Sequence, residues 1–132
     1  MIIGIGTDIV EVARFQEMEE NARFLQRVYS PQEIEMFRQR KFNPQVLAGN
    51  FAAKEALLKA YGMGLGDIPM GKISVLRRES GQPYIVIDGP KKPSEGHIIH
   101  VSLSNIKTLA QAYVVVEKRD QKDQEELLPC IK

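Results

Sequence analysis

The sequence has one cysteine, two histidines and almost no excess of either charge, and each shortage excludes a class of protein. The lone Cys130 can form neither an internal disulfide nor a multi-cysteine zinc site. It stands too close to the end to begin a prenylation signal. A formal net charge of +1 argues against a nucleic-acid binder, because chains that live on phosphate backbones usually carry a basic excess or stripe. No apolar run approaches the roughly 20 residues a membrane span requires. The opening Met1 to Gly6 is short, lacks a basic flank and meets Asp8 and Glu11 at once, so it does not read as a signal peptide. No internal repeat is visible, and no Gly-x-Ser-x-Gly elbow invites a hydrolase reading. The expectation is a cytoplasmic protein with no membrane or nucleic-acid partner.

What remains is the composition of an ordinary globular domain: 132 residues, 43% hydrophobic and 27% charged. One domain over 1–117 and a charged tail over 118–132 are expected, since the tail mixes charges without an apolar face. Residues 2–10 are rich in Ile and Val and read as a strand, with Ile3, Ile5, Thr7 and Ile9 on one face and Gly4, Gly6 and Asp8 on the other. The glycines leave room for another backbone or a ligand; a plain edge strand is the simpler reading. From Glu11 apolar residues at Val12, Phe15 and Met18, then Phe24, Leu25 and Val28, predict helix with a break near Asn21.

Ser30-Pro31-Gln32-Glu33 is a capping-box start for a helix running to about Lys41 and stopping before Pro44. Val46 to Tyr61 is the clearest helix, closed by Gly62. Gly62, Gly64 and Gly66 follow a helix rather than a strand, so they are not a dinucleotide or P-loop fingerprint. Strands are predicted over Lys72–Arg77, Pro83–Ile87, Ile98–Ser104 and Ala110–Glu117. Helices before strands give an α+β fold with a largely antiparallel sheet.

Glu55 draws the chemical argument. Leu47, Phe51 and Leu58 lay an apolar stripe along its helix, Glu55 falls inside it, and a desolvated carboxylate needs a partner. Lys59, four residues on, could supply an ordinary surface ion pair. Alternatively Glu55 joins Asp8 on the glycine-cleared strand, and two carboxylates with phosphate oxygens and water are a usual way to hold Mg²⁺. Lys59 would then face the same phosphates. His100 reads as a structural strand residue and His97 as a solvated loop residue.

Gly4-Ile5-Gly6-Thr7-Asp8-Ile9-Val10-Glu11 and Phe51-Ala52-Ala53-Lys54-Glu55-Ala56 together resemble the signature of the holo-[acyl carrier protein] synthase family. Arg23-Phe24-Leu25, Ser30 to Glu33, Lys59-Ala60, Gly81-Gln82-Pro83 and His100-Val101-Ser102-Leu103-Ser104 agree in order, over about residues 2–117. The resemblance implies transfer of 4'-phosphopantetheine from coenzyme A to a serine of apo-acyl carrier protein, releasing 3',5'-ADP, in fatty acid biosynthesis. It further implies Mg²⁺ held by Asp8 and Glu55, a homotrimer with sites at subunit boundaries, and Lys59 on the phosphates. Lys41, Gly62, Gly64, Pro83 and Ser102 match donor-contacting positions, and Arg14, Met18 and Arg23 match the carrier-docking surface. Two departures stand out. Asn105 replaces a residue that is often His or Asp and cannot act as a base, which leaves the serine proton to a metal-bound water or hydroxide oriented by Asp8 or Glu55. Asn50 replaces a frequent Arg, removing a candidate phosphate contact. A carrier-protein or nucleotide binding module with impaired transfer is the alternative these departures allow.

Overall fold

A computed structural model describes residues 1–62, 68–89 and 95–119. The expected α+β class is found. Strand β1 (Ile2–Glu11) leads through two 3₁₀ turns, Val12–Phe15 and Met18–Glu20, into helices α1 (Ala22–Val28), α2 (Pro31–Gln39) and α3 (Pro44–Ala60). A further 3₁₀ turn at Met70–Lys72 precedes strands β2 (Ile73–Arg77), β3 (Pro83–Ile87), β4 (His97–Asn105) and β5 (Leu109–Lys118). Both sheets are antiparallel: β1-β5-β4 with β5 central, and the β2-β3 hairpin. Of the expected tail, residues 120–132 lie outside the described residues. Among the described residues no helix is long and apolar enough to cross a membrane.

Local chemistry explains the element boundaries. Ser30 Oγ accepts from the Glu33 N–H at 3.2 Å while Glu33 Oε1 accepts from the Ser30 N–H at 2.9 Å, closing the expected capping box. Helix α2 ends at Gln39 rather than near Lys41, because Lys41 and Phe42 adopt left-handed backbone angles, φ 56° and 52°. The helix stops before Pro44 as expected, and Pro44 opens α3 at its first position, two residues ahead of the expected Val46, with Asn43 Oδ1 accepting from the Gln45 N–H at 2.9 Å. The Val12–Met18 segment is not α-helix. Val12, Phe15 and Met18 are spaced by three, the 3₁₀ repeat, which buries Val12 and Phe15 without four-residue hydrogen bonds. Glu17 at φ 57° separates the two turns, and Asn21, at the expected break, caps α1 through its side chain.

Helix α3 is the spine of the core, lying across β1 and β5 and buried along nearly its whole length. The glycines of β1 admit a backbone: a Cβ on Gly4 would stand 1.8 Å from the Ala60 carbonyl oxygen, and one on Gly6 1.8 Å from that of Ala56. Neither carbonyl can rotate away without breaking the helix. Gly6→Ala is therefore expected to cost at least about 2 kcal/mol by overpacking. Gly49→Ala, whose Cβ would meet only Leu103 Cδ1 at 3.8 Å, should be neutral or better, and urea midpoints of the two variants check this contrast.

Candidate active site

The contact of β1 with α3 decides what meets Asp8. Residues 4, 6, 8 and 10 of β1 share the face turned to the helix, and Gly6 sits against Ala56, so Asp8 comes to the part of α3 that carries Glu55 and Lys59. Lys59 Nζ lies 3.1 Å from Asp8 Oδ1 and donates to the Thr7 carbonyl at 3.0 Å. Lys59 thus pairs across to the strand, and no Glu55–Lys59 ion pair forms. Partial burial, then the negative charge of Asp8, push the Glu55 carboxyl up, while Lys59 and Arg14 pull it down. Glu55 thus sits one helical turn before the lysine that contacts Asp8. Arg14, exposed on the first 3₁₀ turn, holds its guanidinium 5.6 Å from the centre of the Phe51 ring.

The position of Glu55 on its helix differs from the sequence expectation. Helix α3 has no single apolar stripe, because almost all of its surface is covered; Phe51, Glu55 and Lys59 form its open row at four-residue spacing. The buried charge on this helix is the neighbouring Lys54, which sequence reasoning passed over.

The other predicted residues are distributed over separate surfaces. Lys41 is exposed on the left-handed turn after α2. Gly62 closes α3 at φ 67°, and Gly64 lies outside the described residues. Pro83 lines a cavity of about 240 Å³ with Gly49, Arg77, Gly81, Ser104 and Asn105. Ser102 lies exposed on β4, in register with Tyr113. Gly49 and Glu55 are six residues apart on α3, about 9 Å along the axis and about 120° around it, so this cavity and the acid pair open on different sides of one chain. Arg14, Met18 and Arg23 share the stretch before and within α1, with both arginines exposed and Met18 packed at the core edge. Glu17, Glu19 and Glu20 lie among them, so this surface is of mixed sign. His97 is not a free loop residue: it begins β4, stacks on Tyr61 and meets its hydroxyl at 2.9 Å. His100 meets Glu117 at 2.7 Å. A roomier cavity of about 610 Å³ between the Val12 turn, Pro44 and Lys107 contains one acid, Glu11, and offers no carboxylate pair.

Beneath the acid pair runs a buried polar network. Lys54 Nζ binds Glu33 Oε1 and donates to the carbonyls of Val28 at 2.6 Å and Met70 at 3.0 Å, with the Tyr29 ring centre 4.9 Å away. Both charged side chains are fully buried. Burial pushes the Lys54 ammonium down, to about 8, against the pull of Glu33, and pushes the Glu33 carboxyl up. Asn50 Nδ2 donates to Glu33 Oε2 at 2.8 Å and to the Val75 carbonyl at 2.9 Å. The signal was available: Leu47, Lys54 and Leu58 follow a seven-and-four spacing that puts Lys54 on a covered face, and Glu33 belongs to a capping box.

Residues 4–115 match the 4'-phosphopantetheinyl transferase superfamily. The chain belongs to that family. A holo-[acyl-carrier-protein] synthase of Clostridium botulinum is 41% identical over 121 residues, covering 89% of this chain and 98% of the relative. One from Oceanobacillus iheyensis is 37% identical, with 91% and 100% covered. The fold is similar to the crystal structure of a holo-(acyl-carrier-protein) synthase from Bacillus anthracis in complex with CoA (3',5'-ADP), with TM-score 0.76, 34% identity and 90% and 99% of the chains covered. It is also similar to the Helicobacter pylori synthase in complex with coenzyme A, at TM-score 0.73 and 31% identity, with 86% and 99% covered. Within the transferase stretch fall Asp8, Glu55, Lys59 and the buried network alike. Among the described residues no group of three or more His, Cys, Asp or Glu side chains converges. Asp8 on β1 and Glu55 on the open row of α3 offer two carboxylates, the hard oxygen donors that Mg²⁺ takes together with substrate and water.

Proposed function

We propose that this transferase moves 4'-phosphopantetheine from coenzyme A to a serine of apo-acyl carrier protein, in the cytoplasm and in the service of fatty acid biosynthesis. The observation that supports the reading is Lys59 Nζ 3.1 Å from Asp8 Oδ1, with Glu55 one helical turn before Lys59, in a chain that matches the transferase family over residues 4–115. The serine oxygen bonds to the β-phosphorus of coenzyme A, the bond from that phosphorus to the bridging oxygen breaks, and 3',5'-ADP leaves with the electron pair. Lys59 offers its ammonium to the diphosphate oxygens, where charge grows as the leaving group departs. Asp8 and Glu55 would hold Mg²⁺, which supplies further neutralisation of the diphosphate when bound. The serine proton goes to solvent positioned by one of these carboxylates, because the Asn105 amide has no usable protonation state. Arg14 and Arg23, around Met18, offer an acidic carrier protein two exposed guanidinium groups.

Assembly belongs to the same reading. The outward face of β1 and β5 exposes Ile5, Ile9 and Tyr113 at 62%, 58% and 52%, an apolar strip that a homotrimer would cover. A trimer would also let the Pro83 cavity of one subunit face the acid pair of the next. Native mass spectrometry is expected to give three chains, and a stable active monomer at micromolar concentration would overturn the shared site. The activity is tested by mixing apo-acyl carrier protein, coenzyme A and Mg²⁺ and weighing the intact carrier. A gain of one phosphopantetheine is expected; no gain, with binding retained, would leave a binding module in place of an enzyme.

A further inference from the structure

Asp8 already has a cation beside it. Lys59 Nζ lies 3.1 Å from Asp8 Oδ1 and donates to the Thr7 carbonyl at 3.0 Å, so one ammonium serves two oxygens of β1, an edge strand of its sheet. Among the described residues it is the one basic group in ion-pair contact with that carboxylate. The partners are unequally covered: the Asp8 side chain is 16% exposed and the Lys59 side chain 55%. A carboxylate so largely covered needs a counter-cation close by, whereas a half-exposed lysine on a flexible four-carbon stem gains little from staying. The root of that stem is fixed, because Gly4 and Gly6 seat β1 on the carbonyls of Ala60 and Ala56. Its charged head is held by one exposed ion pair and one carbonyl.

We infer that Lys59 is an exchangeable counter-cation: it neutralises Asp8 in the metal-free protein, competes with the divalent cation for that carboxylate, and turns to the donor diphosphate only once displaced. This rests on the metal and donor assignments proposed above and goes beyond them in the order of events. An ammonium and a divalent cation seek the same carboxylate oxygen, and two cations drawn to one oxygen repel each other. Lys59 loses that competition, because Mg²⁺ takes oxygen at about 2.0–2.1 Å, closer than an ammonium approaches, and carries twice the charge. While paired, the ammonium has its charge offset by Asp8 and gives little to a phosphate; once released, it gives that charge in full. Lys59 therefore weakens the hold on the metal alone and strengthens the hold on metal and donor together, so that the leaving group meets a free ammonium only on protein that carries its metal.

Calorimetric titration of Mg²⁺ into the metal-free protein, with no donor present, tests the exchange. Lys59→Met should lower the Kd for Mg²⁺ by roughly 3- to 10-fold, the combined scale of one exposed ion pair and the repulsion between neighbouring cations, although the same variant should transfer more slowly. Lys59→Arg keeps a cation on Asp8 and should hold the wild-type Kd. On an Asp8→Ala background Lys59→Met should change nothing, since the contested carboxylate is gone. Acetylation of Lys59 by an amine-reactive ester, followed by peptide mass spectrometry with the exposed Lys107 as reference, reads the release itself. Mg²⁺ alone should raise the labelling several-fold, and Mg²⁺ with coenzyme A should lower it again. An unchanged or higher Kd in Lys59→Met, or labelling indifferent to Mg²⁺, would overturn the exchange, while transfer by the wild type would leave the proposed activity standing. If neither wild type nor Lys59→Met binds Mg²⁺, the exchange falls together with the metal assignment on which it rests.

Discussion

Lys54→Met is expected to lower the melting temperature by on the order of 10–20 °C. Methionine fills much of the space, but it leaves the Glu33 carboxylate buried without a cation, held by the Asn50 amide and backbone N–H groups alone. Breaking one side of a buried pair costs about 3–5 kcal/mol, and in a domain of this size each kcal/mol moves the midpoint by several degrees. Adding Glu33→Gln should recover a substantial part, since glutamine still serves the capping box and carries no charge; the mismatch of its amide with that of Asn50 keeps the recovery incomplete. The pH dependence has a definite sign. Glu33 in Lys54→Met has a folded pKa raised above its unfolded value, so its contribution is fully present below the unfolded pKa and lost as pH rises through the folded one. The deficit against wild type should therefore shrink on acidification toward about pH 5. A loss of only a few degrees, or one that grows in acid, would show that the ion pair is not what holds α2 to α3.

Asp8→Ala and Glu55→Ala should act in the opposite manner, reducing transfer by about 10³-fold or more while leaving the fold intact. Glu55 is pushed up by burial and by Asp8, so its removal relieves a repulsion, and the melting temperature without metal should hold or rise. Wild type should gain thermal stability on addition of Mg²⁺, and either variant should lose most of that gain, a readout that does not depend on turnover. Near-normal transfer by either variant at limiting Mg²⁺ would remove these residues from the site.

The order of elements was legible because it depends on local patterns: the capping box at Ser30, the Ile-rich strand and the alanine-rich helix; two short motifs marked Asp8 and Glu55. Three features were not. The Val12–Met18 turns share a three-residue spacing with a helix face, so periodicity cannot separate them. Glu55 was placed on a covered stripe because a helix buried on nearly every side has no stripe to find, and which row stays open depends on β1, β5 and the turns packed around it. The Lys54–Glu33–Asn50–Arg77 chain joins α2, α3 and β2 across up to 44 positions (from Glu33 to Arg77), and no local rule anticipates such a meeting. Asn50, read as the loss of a contact, is in the structure the place where another arginine is anchored.

The absence of side chains at Gly4 and Gly6 makes the separation of β1 from α3, the two elements that carry Asp8 and Glu55, a main-chain dimension. Most catalytic spacings are set by stacked side chains, which drift when a core methyl group is added or removed. Here a strand lies directly on helix carbonyls, with no compressible layer between. Repacking elsewhere in the core should consequently leave the backbone spacing between β1 and α3 unchanged, so this fold can accumulate sequence variation around a strand–helix contact that does not move. The same stiffness means that the separation of strand from helix cannot be retuned by small steps: it changes only if the two part altogether.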